Sequence, residues 1–144
     1  MKKFDLNIDF QYDYRCFGLV VQEKPHRLAW FINQIYPFDF QRQNDYSLSL
    51  HPDETTEYEF PLFLFDDEEN RLMYHLVGNK SEGSYLIPEW KKFDYLILIS
   101  GAIDFFNEAE FKKCIFKVPV IQLVYQLDAE TVKSKNNLVL LFES

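Results

Sequence analysis

Glycine is scarce in this sequence, with four in 144 residues. A loop that cradles a phosphate, or a dinucleotide-binding fingerprint, needs several glycines at close spacing. Here Ser100-Gly101-Ala102 follows a predicted strand, and that single glycine is too little to form such a loop. The composition therefore predicts that the protein holds no nucleotide cofactor in this way.

Cysteine is also scarce. Cys16 and Cys114 lie far apart, with no CxxC spacing and no other soft ligand near either one. This pattern favours two reduced, buried thiols in a cytosolic protein over a disulfide or a zinc site. It gives no context for a nucleophilic cysteine.

Positive charge and long apolar runs are both in short supply. Fifteen lysines and arginines stand against 23 aspartates and glutamates, so the formal net charge is −8. Nucleic acids and anionic membranes require lysine and arginine concentrated on one face, so neither partner is expected. Asp5, Asn7 and Asp9 interrupt any apolar signal core, and no stretch approaches the roughly 18 apolar residues of a membrane span. We therefore expect a cytoplasmic, soluble protein.

The three histidines do not form a metal site or a catalytic group by pattern. None is paired with a second ligand at the spacing of a zinc helix. His51 precedes Asp53 and Glu54, but in a polar loop without a partner motif, so metal binding there is disfavoured. His75 alternates with Met73 and Val77, which favours a sheet histidine, although by intrinsic pKa it is the best-placed proton carrier. We assign no catalytic, cofactor-binding or metal-ligating residue.

Aromatic residues are abundant, at 18% of the chain within a hydrophobic fraction of 47%. Large rings fill β-rich interiors readily, so we expect most of them in the core. Some rings could instead lie at the surface and form an interface, where aromatic residues are enriched. At 144 residues the chain is predicted to be one domain, residues 1–144, able to close its own core.

Periodicity in the first half predicts antiparallel strands around one helix. Residues Phe4 to Phe10 alternate strictly, which is typical of a half-exposed strand. Pro25 begins a helix, and Pro37 ends it because the residue before a proline favours extended geometry. Pro61 lacks a ladder donor and so indicates an edge or a bulge within its strand. The predicted strands here run over residues 4–10, 15–22, 58–65 and 71–77, the last two as a hairpin with an acidic connection.

The second half predicts a βαβ unit. Strand 93–100 is apolar at almost every position, a helix follows whose capping box is Asn107 with Glu110, and strand 120–127 is again apolar on both faces. These strands should be parallel neighbours at the centre of the sheet. A short turn after Asp128 and a last strand, Leu138 to Phe142, complete the chain. The predicted fold is a single α+β domain, a mixed β-sheet, mostly antiparallel with the C-terminal βαβ unit, packed with two helices.

One motif precedes the central strand. Ile87-Pro88-Glu89, three residues and then Phe93-Asp94-Tyr95 resembles the signature of the IPExxxVDY family, with Phe93 where the family name has Val. The family consists of small bacterial proteins without an assigned activity, so the resemblance implies a bacterial cytoplasmic setting and no chemistry. Ile87, Trp90 and Phe93 recur every third residue, which predicts one helical turn that leads into the strand.

The motif carboxylates allow two interpretations. Glu89 and Asp94 could divide acid and base roles in a pocket with His75, as in a small-molecule binder or an enzyme. The favoured interpretation is structural: Glu89 lies in a first turn with Lys92 as partner, and Asp94 accepts backbone donors of the preceding turn. We accordingly expect a non-enzymatic interaction or structural module that self-associates as a homodimer or binds another protein. A deep pocket would favour the first interpretation, and a flat apolar face the second.

Overall fold

The computed structural model describes residues 13–51 and 55–143. The predicted strand over residues 4–10 lies outside the described residues. So do Asp53 and Glu54, which the sequence places beside His51 in the polar loop.

Six strands form one sheet, in the order β10-β1-β9-β6-β5-β2, and every hydrogen-bonded pair in the described chain is antiparallel. Two short pairs, β3 with β4 and β7 with β8, stand apart from it. The strands are β1 (Tyr14–Val21), β2 (Gln41–Arg42), β3 (Tyr46–Leu48), β4 (Tyr58–Phe60), β5 (Leu62–Asp67), β6 (Leu72–Gly78), β7 (Lys80–Ser81), β8 (Ser84–Tyr85), β9 (Tyr95–Gly101) and β10 (Ile121–Leu127). The two described α-helices are α1 (Pro25–Ile32) and α2 (Glu108–Phe116), and the 3-10 segments are Pro88–Trp90, Ile103–Phe105, Ala129–Thr131 and Lys133–Glu143.

The predicted α+β class and mostly antiparallel sheet are confirmed. Strand β9 lies between β1 and β6, and its residues Tyr95 to Ile99 are all buried. One face of the sheet packs with α1 and α2 through residues such as Phe17, Ile97 and Phe111. The opposite face packs with the motif and the end of the chain through Leu98, Trp90 and Leu138. An uninterrupted apolar strand is needed because both of its faces are covered.

The predicted βαβ unit with parallel neighbours is wrong in its pairing. Strands β9 and β10 do run in the same direction, but β1 lies between them and pairs antiparallel with both. Strand β10 is therefore at the sheet edge in the described chain, and only Ile121 and Val124 of it are buried. Strand β1 can occupy the inner position because its residues Cys16–Leu19 can all be buried. Strand β10 carries the polar residues Gln122 and Gln126, which remain exposed at the edge.

Both predicted helices form, with different ends. Helix α1 begins at Pro25 as expected but ends at Ile32, before Pro37, and Asn33 then bonds to the backbone N–H of Phe40 at 2.7 Å. Helix α2 is capped by Asn107, whose Oδ1 accepts from the N–H of Glu110 at 3.0 Å, as the sequence predicted. The side chain thus satisfies one of the free donors of the first turn.

The predicted hairpin is formed by β5 and β6, and Pro61 breaks its first strand. Strand β4 ends at Phe60 and pairs with β3, while β5 begins at Leu62 in the main sheet. After the hairpin, Gly101 takes a φ of 103° at the end of β9, where a Cβ atom would lie 2.4 Å from the carbonyl oxygen of Arg71. Only glycine fits that close approach.

The predicted last strand, Leu138 to Phe142, is wrong. Residues Lys133–Glu143, called the terminal segment below, form a 3-10 helix instead. Leu138 and Leu141 are fully buried, whereas Leu140 is 52% exposed. The buried side chains recur every third residue, as on one side of a 3-10 helix, and not every second residue as on a strand.

None of the helices within residues 13–51 and 55–143 combines the length and the apolar character that crossing a membrane requires.

Candidate functional site

The motif lies where a 3-10 turn gives way to the central strand. Residues Pro88–Trp90 form the turn, as the three-residue spacing predicted. Ile87 is fully buried, and Trp90 and Phe93 are nearly so, so all three pack inward against the sheet face opposite the α-helices. The turn thereby delivers Asp94 and Tyr95 to the start of β9.

A buried amide that the sequence did not single out holds this turn. Asn79 is fully buried, and its Nδ2 donates to the carbonyl oxygens of Trp90 and Phe93, each at 3.0 Å. Its Oδ1 accepts from the N–H of Ile87 at 2.9 Å. One side chain therefore satisfies three buried backbone groups of the motif, groups that cost free energy when left without partners.

Asp94 accepts hydrogen bonds from another strand, not from the preceding turn as predicted. Its Oδ2 accepts from the N–H of Val21 at 2.9 Å, and its backbone N–H donates to the carbonyl of Leu19 at 2.8 Å. The carboxylate therefore continues the β1–β9 ladder beyond the last paired residue. Lys80 bonds to Oδ1 at 2.6 Å, and this hydrogen bond raises the pKa of Lys80 above its usual value.

Glu89 contacts the end of the chain, not Lys92 as predicted. Its Oε2 accepts from the backbone N–H of Lys133 at 3.1 Å and of Ser134 at 3.3 Å, the first donors of the terminal segment. Burial alone raises the pKa of Glu89, but the hydrogen bonds within its own residue and from Ser134 and Lys133 outweigh it, so the pKa lies below its usual value. Glu89 thus acts as an N-cap supplied by a distant part of the chain.

Tyr95 ties the motif to the residues before α1. Its hydroxyl donates to the carbonyl oxygen of Glu23 at 2.6 Å. Burial, and after it the charges of Asp94 and Glu23, raise the pKa of Tyr95 to about 12, so the hydroxyl keeps its proton at neutral pH. Each polar side chain of the motif therefore has a partner within the chain.

The three residues of the hypothetical pocket do not come together. His75 lines a cavity whose described lining includes neither Glu89 nor Asp94. Asp94 lines a separate recess with Pro61 and Lys80, and Glu89 lies at the surface beside Lys133. The geometry does not place these carboxylates to share acid and base roles with His75.

The cavity beside His75, called the terminal cavity below, has a volume of about 720 Å³. Its floor is the sheet face around Leu64, Met73 and His75, and the terminal segment forms a wall through Leu140 and Phe142. His75 is 5% exposed, and its Nδ1 has no hydrogen-bond partner in the described chain. Burial lowers the pKa of His75 to about 4, although a hydrogen bond with the backbone of Leu141 acts in the opposite direction. The imidazole is therefore neutral at pH 7.

Strand β10 and the end of α2 present apolar side chains to solvent. Phe116 at the end of α2 is 57% exposed, and Leu123 and Tyr125 on β10 are 37% and 54% exposed. We call these three residues the edge patch. Lys92 and Lys112 each place their Nζ 5.9 Å from the centre of the Tyr125 ring. The apolar sequence of β10 predicts a central strand, so this exposed surface is not expected from the sequence.

The cysteines and possible metal ligands add no further site. Cys16 is buried, Cys114 is half-buried, and both thiols are free. Burial raises the pKa of each thiol, which makes it less reactive. Residues 13–51 and 55–143 contain no cluster of three or more histidine, cysteine, aspartate or glutamate side chains that could hold a metal ion.

Comparisons with protein-family models, with curated proteins and with solved structures each give no match to this chain.

Proposed function

We propose that this protein is an interaction module that self-associates through the outer edge of β10. The observation that carries the proposal is an uncharged strand at the edge of the described sheet, on which Leu123 and Tyr125 are exposed. Proteins usually blunt an exposed strand edge with a lysine or a proline, and residues 121–127 contain neither. An edge strand with apolar side chains and no charge of its own is a template for a second strand.

The sequence of β10 is nearly symmetric about Val124. Leu123 and Tyr125 flank this residue, and Gln122 and Gln126 lie outside them. Antiparallel pairing of two copies about a two-fold axis at Val124 sets Leu123 of each copy opposite Tyr125 of the other. An aliphatic side chain opposite an aromatic ring is a favourable cross-strand pair.

Charge at the two ends of the strand suits the same pairing. Lys117 precedes β10, and Asp128 and Glu130 follow it. In an antiparallel pair the basic end of each strand meets the acidic end of the other, so this charge pattern favours a second copy as the partner.

A bulge sets the length of the paired segment. The register between β1 and β10 shifts between Val20 and Val21, which leaves Gln122 as an extra residue on β10. Bulges bend an edge and limit further pairing. This one lies at the start of β10, so the five residues Leu123–Leu127 keep a regular register with β1.

Sedimentation velocity at tens of micromolar tests the proposal. We expect wild-type protein to sediment as a species of twice the 17.3 kDa chain mass, and Leu123→Lys to sediment as a monomer because it places a charge at the centre of the pair. Phe105→Lys is the matched control, since Phe105 is 94% exposed but lies outside the edge patch. A monomeric wild type, or a Leu123→Lys variant that still dimerises, would overturn the proposal.

The membership in the IPExxxVDY family, and the bacterial cytoplasmic setting that it implies, remain predictions from the motif. The proposed self-association rests on the edge of β10 and does not depend on either of them.

A further inference from the structure

We propose that the terminal cavity binds a small, uncharged molecule with an apolar part that donates a hydrogen bond to Nδ1 of His75. This inference rests on other residues than the β10 edge and does not depend on self-association.

The size of the cavity and its walls suit such a ligand. Ligand pockets in proteins commonly enclose 300–1,000 Å³, with mostly apolar walls and a few polar groups that fix orientation. The terminal cavity has a volume of about 720 Å³. Its lining combines apolar residues, Leu62, Leu64, Met73 and Phe142 among them, with polar residues that include Gln43, Asn44 and Ser47. Leu64 lies directly opposite His75 across the β5–β6 pair, so the apolar floor and the imidazole are neighbours on one sheet face.

His75 supplies the polar group that a ligand would recognise. Its Nδ1 is buried without a partner in the described chain. We therefore assign the hydrogen bond between the ring and the backbone of Leu141 to the other nitrogen. In a neutral imidazole the nitrogen without a proton is an acceptor, so Nδ1 offers a lone pair. A buried acceptor without a donor is unfavourable, and a ligand N–H or O–H would satisfy it.

The charges around the cavity define the class of ligand further. Its described lining carries two carboxylates, Asp13 and Asp45, and neither lysine nor arginine. Both carboxylates are already paired with arginines, Asp45 with Arg42 at 2.6 Å and Asp13 with Arg15 at 3.7 Å. The lining therefore offers no free charge that would hold an ion, and an uncharged molecule suits it.

Entry of the ligand involves the terminal segment. Nδ1 exposes less than 1 Å² to water, so a donor reaches it only if a neighbouring side chain moves. The ring of Phe142 lies 5.4 Å from the imidazole, at 71° to it, and Phe142 belongs to the wall that the terminal segment forms. Binding is therefore expected to displace Phe142.

Indole and N-methylindole make a matched pair of probes, because they differ by one N–H donor and little in volume. We expect indole to bind to the full-length protein and to shift the ¹⁵N resonance of His75 Nδ1 together with the amides of Leu141 and Phe142. N-methylindole should bind at least about tenfold more weakly, since it cannot make the hydrogen bond.

Variants separate the role of His75 from that of the cavity walls. His75→Phe removes the acceptor and keeps a ring, so it should abolish the difference between the two probes. His26→Gln is the control, because His26 is exposed on α1, and it should bind both probes as the wild type does. The Nδ1 shift in wild-type protein is a readout that stands even where His75→Phe fails to fold.

Two results would overturn the inference. If neither probe perturbs the cavity residues at millimolar concentration, the cavity is not a binding site for this class of ligand. If both probes bind equally and Nδ1 does not shift, His75 is not the group that recognises the ligand.

Discussion

The two motif carboxylates differ in how much folding should depend on their charges. Asp94→Asn weakens the bonds to Val21 and Lys80 at a side chain that is 19% exposed, so we expect a loss of about 1.5–3 kcal/mol in the free energy of unfolding. Glu89→Gln changes a carboxylate at the surface, where water screens the interaction, and should cost less than about 1 kcal/mol.

Urea denaturation of both variants measures these losses, with Asp104→Asn as a control at an exposed position. An Asp94→Asn midpoint equal to that of the wild type would show that this bond to β1 is not needed for stability. Equal losses for both variants would contradict the argument from exposure.

Asn79 shows the limit of sequence analysis at the scale of a residue. Asparagine after Gly78 in a polar stretch is typical of a turn. The pattern does not show whether such an asparagine lies at the surface or is buried and bonds to distant backbone groups. The carboxylates were recognised as acceptors because the turn geometry requires acceptors. Their donors, on Val21 and on Lys133 and Ser134, are 73, 44 and 45 residues away, and no local spacing could identify them.

At the scale of elements, the terminal segment should depend on pH through His75. The pKa of His75 is about 4 in the folded protein because the ring is buried, against about 6.5 in an unfolded chain. The unfolded chain therefore takes up a proton first as the pH falls, and the contribution of His75 to stability is full above pH 6.5 and lost by about pH 4. Between pH 7 and pH 5 the loss should be about 2 kcal/mol.

Chemical denaturation from pH 7 to pH 5 measures that loss, and His75→Phe should remove most of it. Hydrogen exchange at pH 5 should show the amides of Leu138 to Phe142 opening before those of β9, because His75 bonds to Leu141 and packs against Phe142. The same pH dependence in wild type and His75→Phe would contradict this account.

The elements that were predicted correctly are those whose signals are local. Pro25 and Asn107 mark the starts of α1 and α2, and Pro61 marks the break before β5. Each of these residues affects the backbone at its own position, so its effect can be predicted from the sequence. The terminal segment was mistaken because Leu138, Leu140 and Phe142 alternate as in a strand. The segment forms a 3-10 helix instead, in which Leu138 and Leu141, three residues apart, pack into the core. The core surface that they contact exists only in the tertiary fold.

At the scale of the whole molecule, two wrongly predicted elements, β10 and the terminal segment, account for the missed edge patch and the missed terminal cavity. Strands β9 and β10 are joined by a helix, which favours parallel neighbours, yet β1 pairs with both from a distant part of the sequence. This insertion moves β10 to the edge and exposes Leu123 and Tyr125. His75 was noted as a proton carrier, but its cavity depends on the terminal segment that the sequence analysis took for a strand.

Hydrogen exchange over a range of protein concentrations tests the architecture and the proposed self-association together. The amides of β9 and β1 are bonded on both sides within the chain, so they should exchange slowly at every concentration. The amides of β10 have β1 on one side only in the described chain.

The β10 amides that face outward should exchange quickly in dilute protein and more slowly as pairing of two copies covers them. Leu123→Lys should remove that concentration dependence and leave β9 unchanged. If β10 is as slow as β9 at all concentrations in the Leu123→Lys variant as well, its outer edge is covered within one chain, and neither the edge position nor the proposed pairing holds.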